Sequence, residues 1–304
     1  MSEPVTNSPG TGQSRQAALI GTAAALGAVL IWSGWIVATR HAAQTLEISV
    51  VALLRYGIPA LALTSLWLNL GLLPSGVSRK LLATLVIGAG APFFLTAALG
   101  MRFAPAAEVG PLLPGAMPLF TALLVGLFYR EKSSWWRTAG FVLIGAGVMA
   151  VVIPEIFANK SSEIGGHLLV LLSALLWAIY TVALRRSGFT PFQATAFISV
   201  WSTIALLPFG TMPLINTLTD GRAGEVAIQA LVQGVLSGIV ATILFAIAIL
   251  ELGASRAAAF AALIPVLVAA LAYPLLGEIP TSLTLVGIFA TSLGVALASG
   301  AFER

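Results

Sequence analysis

The chain reads as an all-α polytopic membrane protein with ten transmembrane helices, arranged as two inverted-topology five-helix repeats. Three observations predict this. Apolar residues fill 59% of the 304 positions and charged residues only 9%, where a soluble domain carries ~25% charged. Mean hydropathy is +1.01, and 15 basic with 11 acidic side chains cannot cover a soluble surface of this size. The apolar residues fall in long continuous runs, and equivalent residues recur at a constant spacing.

Residues 1–16 are polar and rich in Ser, Thr, Gly and Pro, the composition of a disordered cytoplasmic tail. Apolar runs follow at 17–39, 48–71, 81–100, 104–128 and 136–153. The first is too long for a signal-peptide core and lacks a clear cleavage context, so it is read as a span. A polar connection at 154–166 leads to runs at 168–184, 192–211, 226–250, 254–277 and 282–301. At about 20 residues per span, ten runs use most of the chain and leave no room for an appended soluble catalytic domain. The runs lack period-two alternation, which argues for helices over barrel strands. Two units result, 17–153 and 167–301.

Orientation follows from the basic residues. With the N-terminus inside, cytoplasmic segments hold Arg15, Arg79, Lys80, Arg130, Lys132, Arg137, Arg185, Arg186, Arg256 and Arg304. External segments hold Arg40, Arg102, Lys160 and Arg222. Such a bias in short loops sets topology, so both termini are expected on the cytoplasmic side of the inner (cytoplasmic) membrane. The net charge of +4 therefore reports orientation and not a nucleic-acid partner. There is no Cys, and His41 and His167 are too few for a His-rich site, so neither metal nor cofactor is expected.

The repeat is ordered. At an offset of 147, Ala107, Pro118, Glu131, Gly140, Gly147 and Val148 match Ala254, Pro265, Glu278, Gly287, Gly294 and Val295. At an offset of 145, Leu30, Trp32, Val37, Ala38 and Arg40 match Leu175, Trp177, Val182, Ala183 and Arg185. Five spans per repeat is an odd number, so equivalent helices must cross the bilayer in opposite directions. That architecture is common among secondary transporters.

The twice-occurring pattern of Pro, Glu, Gly and Gly-Val, running from Pro118 to Val148 and again from Pro265 to Val295, resembles the ten-helix EamA-type transporters of the drug/metabolite transporter superfamily. The resemblance makes 17–153 and 167–301 two EamA-type repeats. It implies a central cavity lined by the first four helices of each half, and export of amino acids or related small metabolites. Other branches move sugars, nucleotide sugars or phosphorylated sugars, so the solute stays open. The family glutamates map to Glu131 and Glu278, each at a helix entrance where a carboxylate can meet the positive end of the following span.

Arg55 is the most informative single residue. It lies about eight residues, roughly 12 Å, into the second run. A charge there costs at least about 2.5–3.5 kcal/mol unless it faces a partner or a wet cavity. It reads either as a cation for a substrate carboxylate or phosphate, or as half of a structural ion pair. Glu108 is its candidate partner, or else an outer-rim carboxylate touching water. Trp32 and Trp35 stand three apart on one helix face, and Trp177 and Tyr180 repeat the spacing. These four read as cavity-lining aromatics or as packing. Pro118 and Pro265 read as paired flex points or as static bends. Ala290, Gly294 and Ala298 form a small-residue packing ridge.

These observations favour a secondary transporter working by alternating access, most simply an amino-acid exporter; a carrier of another solute class (sugar, nucleotide sugar, nucleoside or drug) is the alternative. An integral membrane enzyme would need clustered His, Asp, Glu, Ser or Lys near one face, and the chain has none in sequence. A non-transport membrane protein is the remaining class. The implied partners are a small-molecule substrate and the lipid bilayer, with the chain a monomer or homodimer.

Overall fold

The computed structural model describes residues 11–129 and 133–302. The reading of Glu131 as a helix-entrance carboxylate falls outside the described residues, as do Arg130, Lys132 and Arg304. Among the described residues every regular element is helical and no strand occurs. In order these are α1 (Thr11–Thr45), α2 (Ile48–Ala62), α3 (Thr64–Leu70), α4 (Arg79–Met101), α5 (Ala106–Phe128), α6 (Trp135–Phe157), α7 (Ser161–Ser187), α8 (Pro191–Thr219), α9 (Ala223–Leu252), α10 (Ala254–Leu276) and α11 (Ser282–Ala298). Eight are long and apolar enough to cross a membrane, or nine if α2 and α3, bent by 76°, count as one span. Helix α11 has 17 residues and is shorter than a full span.

Two expected boundaries move. Helix α1 begins at Thr11, inside the stretch read as a disordered tail. The polar connection at 154–166 is mostly helical, because α6 continues to Phe157 and α7 starts at Ser161. Lys160 closes the short turn, with Nζ 2.9 Å from Glu155 Oε2 and 3.0 Å from Glu163 Oε2. The two carboxylates hold its ammonium above the ordinary lysine range.

Breaks in the helices are answered from other parts of the chain, as an apolar surrounding demands. Helix α4 is interrupted at Gly90, two residues before Pro92. The Tyr56 hydroxyl lies 2.9 Å from Ala89 O and 2.7 Å from Gly90 O. The freed Ala91 N–H donates to Ser202 Oγ at 3.0 Å. At the α2–α3 bend, Trp67 Nε1 and Thr64 Oγ1 both donate to Ala60 O. In α5 the prolines at 111 and 114 lie in a π-helical turn, Pro111–Gly115, since a residue without an N–H cannot close the usual i to i−4 bond. Pro118 sits just past that turn, and Pro265 just past the 3₁₀ turn Ala261–Leu263 of α10.

Packing exchanges cleanly between the halves. Helix α1 packs on α9 and α10, while α7 packs on α4 and α5; α2 meets α8, α5 meets α10 and α6 meets α11. The α6–α11 contact is made by glycines. A Cβ on Gly140 would lie 2.6 Å from Gly294 O, and one on Gly147 would lie 2.8 Å from Gly287 O. The partner number falls as the residue number rises, so the two helices cross antiparallel. The first glycine of each copy meets the second glycine of the other, which is the contact pattern of a twofold axis.

This crossing predicts a graded outcome. Gly140→Ala should destabilise the protein by about 1–3 kcal/mol through overpacking, read as a lower melting temperature in detergent. Gly145→Ala is the control and should be near neutral, because a Cβ there meets nothing within 4 Å.

Candidate functional site

Helix α2 carries Arg55 into the interior, where the guanidinium is ringed by aromatic faces. Its Cζ lies 4.6 Å from the Trp35 ring centroid, 5.5 Å from Phe94 and 5.9 Å from Tyr56. Each such contact contributes about 0.5–2 kcal/mol, the more so when water is excluded. Arg55 Nη1 donates to Ser237 Oγ at 3.1 Å, while Nε is buried without a hydrogen-bond partner. Among the described residues no carboxylate forms an ion pair with Arg55. A group with five N–H donors is thus only partly answered, and its spare donors suit a carboxylate or phosphate.

The opposite wall is a π-helical stretch of α9, Ala230–Val240. Glycines bring it against α2: a Cβ on Gly234 would lie 2.6 Å from Ile58 Cβ, and one on Gly238 would lie 2.8 Å from Pro59 Cγ. The same stretch holds Gln233, which is fully buried and accepts from Trp35 Nε1 at 2.6 Å. Gln233 Nε2 reaches Thr39 Oγ1 and Gln229 Oε1, both at 3.0 Å, and Gln229 donates on to Ala38 O. The network fixes the Trp35 ring that faces the guanidinium. Sequence reasoning missed Gln233, Ser237, Tyr56 and Phe94. The signal for Gln233 was present, two glutamines one turn apart in an apolar run.

Of the other expected site residues, Trp32 stacks on Phe245 at 5.1 Å, in a tilted arrangement. Trp177 contacts Tyr180 and Phe93, each at 5.1 Å between ring centroids. Phe93 and Phe94 are neighbours on α4, so that helix carries one ring toward Trp177 and the next toward Trp35. Trp35, Phe93, Phe94 and Tyr56 belong to one continuous core, with Trp32, Trp177 and Tyr180 packed on it. An apolar groove of about 620 Å³ runs between α1, α9 and α10, lined by Leu30, Gly34, Gln229 and Leu271 among others, but Arg55 does not line it.

Two expected partnerships are corrected. Glu108 does not reach Arg55; it is buried in the first turn of α5 and bonds His167 Nε2 of α7 at 2.7 Å. Glu278 does not serve the helix that follows it. Its Oε1 takes Arg40 Nε at 2.8 Å and its Oε2 takes the Ala106 N–H at 2.6 Å, so it meets the start of α5 across the repeat. Arg40 Nη1 also donates to Met101 O at 2.6 Å. Both corrections depend on how α5, α7 and α10 cross. Among the described residues no group of three or more His, Asp or Glu could hold a metal ion.

Comparison with known proteins agrees with this architecture. The EamA-like transporter family matches residues 19–153 and 164–300. The uncharacterized transporter YcxC of Bacillus subtilis (strain 168) is 31% identical over 134 residues, covering 44% of this chain and 41% of that protein. The probable terminal-alkyne amino-acid exporter of Streptantibioticus cattleyicolor is 27% identical over 197 residues, covering 62% of each. The chain therefore spans less than two thirds of the length of either relative. A solved crystal structure aligns with a TM-score of 0.55 at 19% identity over 93% of this chain and 96% of that one, a likeness of fold alone.

The Trp35 anchor is testable. Gln233→Leu leaves the buried Trp35 N–H unpaired and should cost about 1–3 kcal/mol. A thermal melt checks this, and an unchanged melting temperature would remove the network from the account of what orients Trp35.

Proposed function

The chain belongs to the EamA-like transporter family, and we propose that it is a secondary active transporter of the cytoplasmic membrane, exporting amino acids or related small metabolites by alternating access through a central cavity. Family membership implies transport rather than catalysis. The observation that carries the solute class is Arg55, a cation inside an apolar helix with a buried Nε that has no partner. A substrate carboxylate would take the spare guanidinium donors as a planar fork. Trp35, Tyr56 and Phe94 would lie beside its apolar part, with Trp32, Trp177 and Tyr180 further along the same core. In the conformation described here Trp35, Phe94 and Tyr56 stand around the guanidinium.

Several features support ten spans in two inverted repeats, with both termini in the cytoplasm. These are the basic residues concentrated in the proposed cytoplasmic segments, the antiparallel glycine crossing and the exchange of contacts between halves. Pro118 and Pro265 follow non-α turns at equivalent places in α5 and α10, which supports them as the paired bends about which the halves move. The name of the Streptantibioticus relative supports amino acids as the solute class. The aromatic ring set equally suits a nucleoside or a drug, which is the second reading.

A counterflow screen in proteoliposomes against amino acids, nucleosides, sugars and sugar phosphates tests the solute class. Arg55→Gln should lower counterflow of a carboxylate substrate at least about 10-fold, while Arg55→Lys, which keeps charge but loses the fork, should fall between. Wild-type flux from a folded Arg55→Gln protein would take Arg55 out of the site.

A further inference from the structure

The two halves pack differently at equivalent places. The first turns of α5 and of α10 correspond at the offset of 147, and an inverted repeat puts them at opposite faces of the membrane. Ala104, Ala107, Glu108 and Val109 are buried, whereas their equivalents Glu251, Ala254, Ser255 and Arg256 are exposed. Three of those four exposed residues are polar or charged, so the surface they present belongs in water and not in hydrocarbon. Their neighbours differ too. The start of α5 packs on α10, α1 and α11, and a Cβ on Gly110 would lie 2.9 Å from Pro265 Cα. The twofold equivalent of that set is α5, α7 and α6, yet the principal neighbours of the start of α10 are α9, α1 and α11.

Charge-assisted bonds hold the packed end. Arg40 Nε of α1 donates to Glu278 Oε1 at 2.8 Å and its Nη1 donates to Met101 O at 2.6 Å. Glu278 Oε2 accepts the Ala106 N–H at 2.6 Å. With its amide turned so that the oxygen faces the guanidinium, Gln44 accepts from Nη1 and Nη2 at 3.1 and 3.0 Å. The ion pair leaves only 11% and 18% of its side-chain surface exposed, so salt and water weaken it less than an open surface pair. It ties α1, the end of α4 and the start of α5 to the segment after α10, which belongs to the other half. Arg185, the repeat equivalent of Arg40, is exposed.

We propose that the Arg40–Glu278 pair, with the Ala106 N–H, is a latch that shuts the α5 end of the transport pathway, external in the orientation above, and that it must open before the pathway can face that side. This rests on the transport reading. In an inverted repeat the opposite facing is reached when the two halves exchange conformations. The exchange loosens the start of α5, as the start of α10 is loose here, and draws the start of α10 inward. Glu278 and the N–H it holds sit on different halves, so that movement separates them. The latch therefore biases the equilibrium toward the state in which the α5 end is shut. Weakening it shifts the populations, and so alters both ends at once.

The test is thiol labelling of the full-length protein with a membrane-impermeant maleimide, in right-side-out and inside-out vesicles. The chain has no Cys, so Ala107→Cys, Val109→Cys, Ala254→Cys and Ser255→Cys each supply one thiol. With the latch intact, 107 and 109 should be shielded from outside and 254 and 255 should react from inside. Glu278→Gln removes the charge and keeps the shape. It should raise outside labelling at 107 or 109 at least about 10-fold and lower inside labelling at 254 and 255, a shift within reach of an ordinary coupling interaction. Arg40→Lys should fall between. A rise at 107 or 109 with no fall at 254 and 255 is a frayed end and overturns the latch. No change at any position overturns it, as does fast outside labelling at 107 and 109 with the latch intact. Amide exchange of the unsubstituted protein in nanodiscs, corrected for intrinsic rates, covers variants that misfold. Residues 104–110 should exchange at least about 10-fold more slowly than 251–257; equal protection overturns the proposal. Absence of counterflow across the whole solute screen, with the reciprocal labelling shift present, counts against transport alone. Labelling of 254 from outside, with that shift present, counts against the orientation alone.

Discussion

An apolar surrounding offers a polar group no water, so each donor and acceptor inside these helices has to be met by another part of the chain. Most of the interior follows from that. The interruption of α4 at Gly90 frees carbonyls and an N–H, and Tyr56 and Ser202 arrive from α2 and α8 to meet them. The bend after α2 is met by Trp67 and Thr64. Trp35 N–H finds Gln233, and Gln233 finds Thr39 and Gln229. Against that background, the Arg55 guanidinium, whose buried Nε has no hydrogen-bond partner, carries the functional argument.

The scaffold is symmetric where it packs and asymmetric where it is chemical. Gly140, Gly147, Gly287 and Gly294 meet as a twofold set because only a missing Cβ lets the α6 and α11 backbones touch. The sites around the broken helices also correspond at the offset of 147, Arg55 with Ser202 and Ser237 with Gly90. In one half Ser202 caps the Ala91 N–H; in the other Arg55 reaches Ser237. The same geometric position is thus used once to finish a helix break and once to hold a cation. A duplicated fold that closes symmetrically is free to spend its unmatched positions on binding.

Composition and pattern were enough to read a helical membrane protein, the duplicated Pro–Glu–Gly–Gly-Val segment and Arg55 as a charge set within a span. Trp35 was legible because it stands in a span and not at its end. Glu108 was legible as a buried or rim carboxylate, but its partner was not. From spacing alone it could face α2 as readily as α7, and helix rotation turned it to His167. Glu278 was assigned to its own helix because sequence shows only neighbours in the chain, whereas the N–H it holds belongs to Ala106, 172 residues away.

By itself the sequence determined hydrophobic length, charge bias and repeat period, because those are sums over local residues and bilayer thickness converts them directly into spans. Only the tertiary structure decided the bend between α2 and α3, the π turn of α9 that presents Gln233 and Ser237, and which buried groups are left without partners. Those depend on crossing angle, rotation and relative depth of helices far apart in the chain, and no residue spacing encodes them.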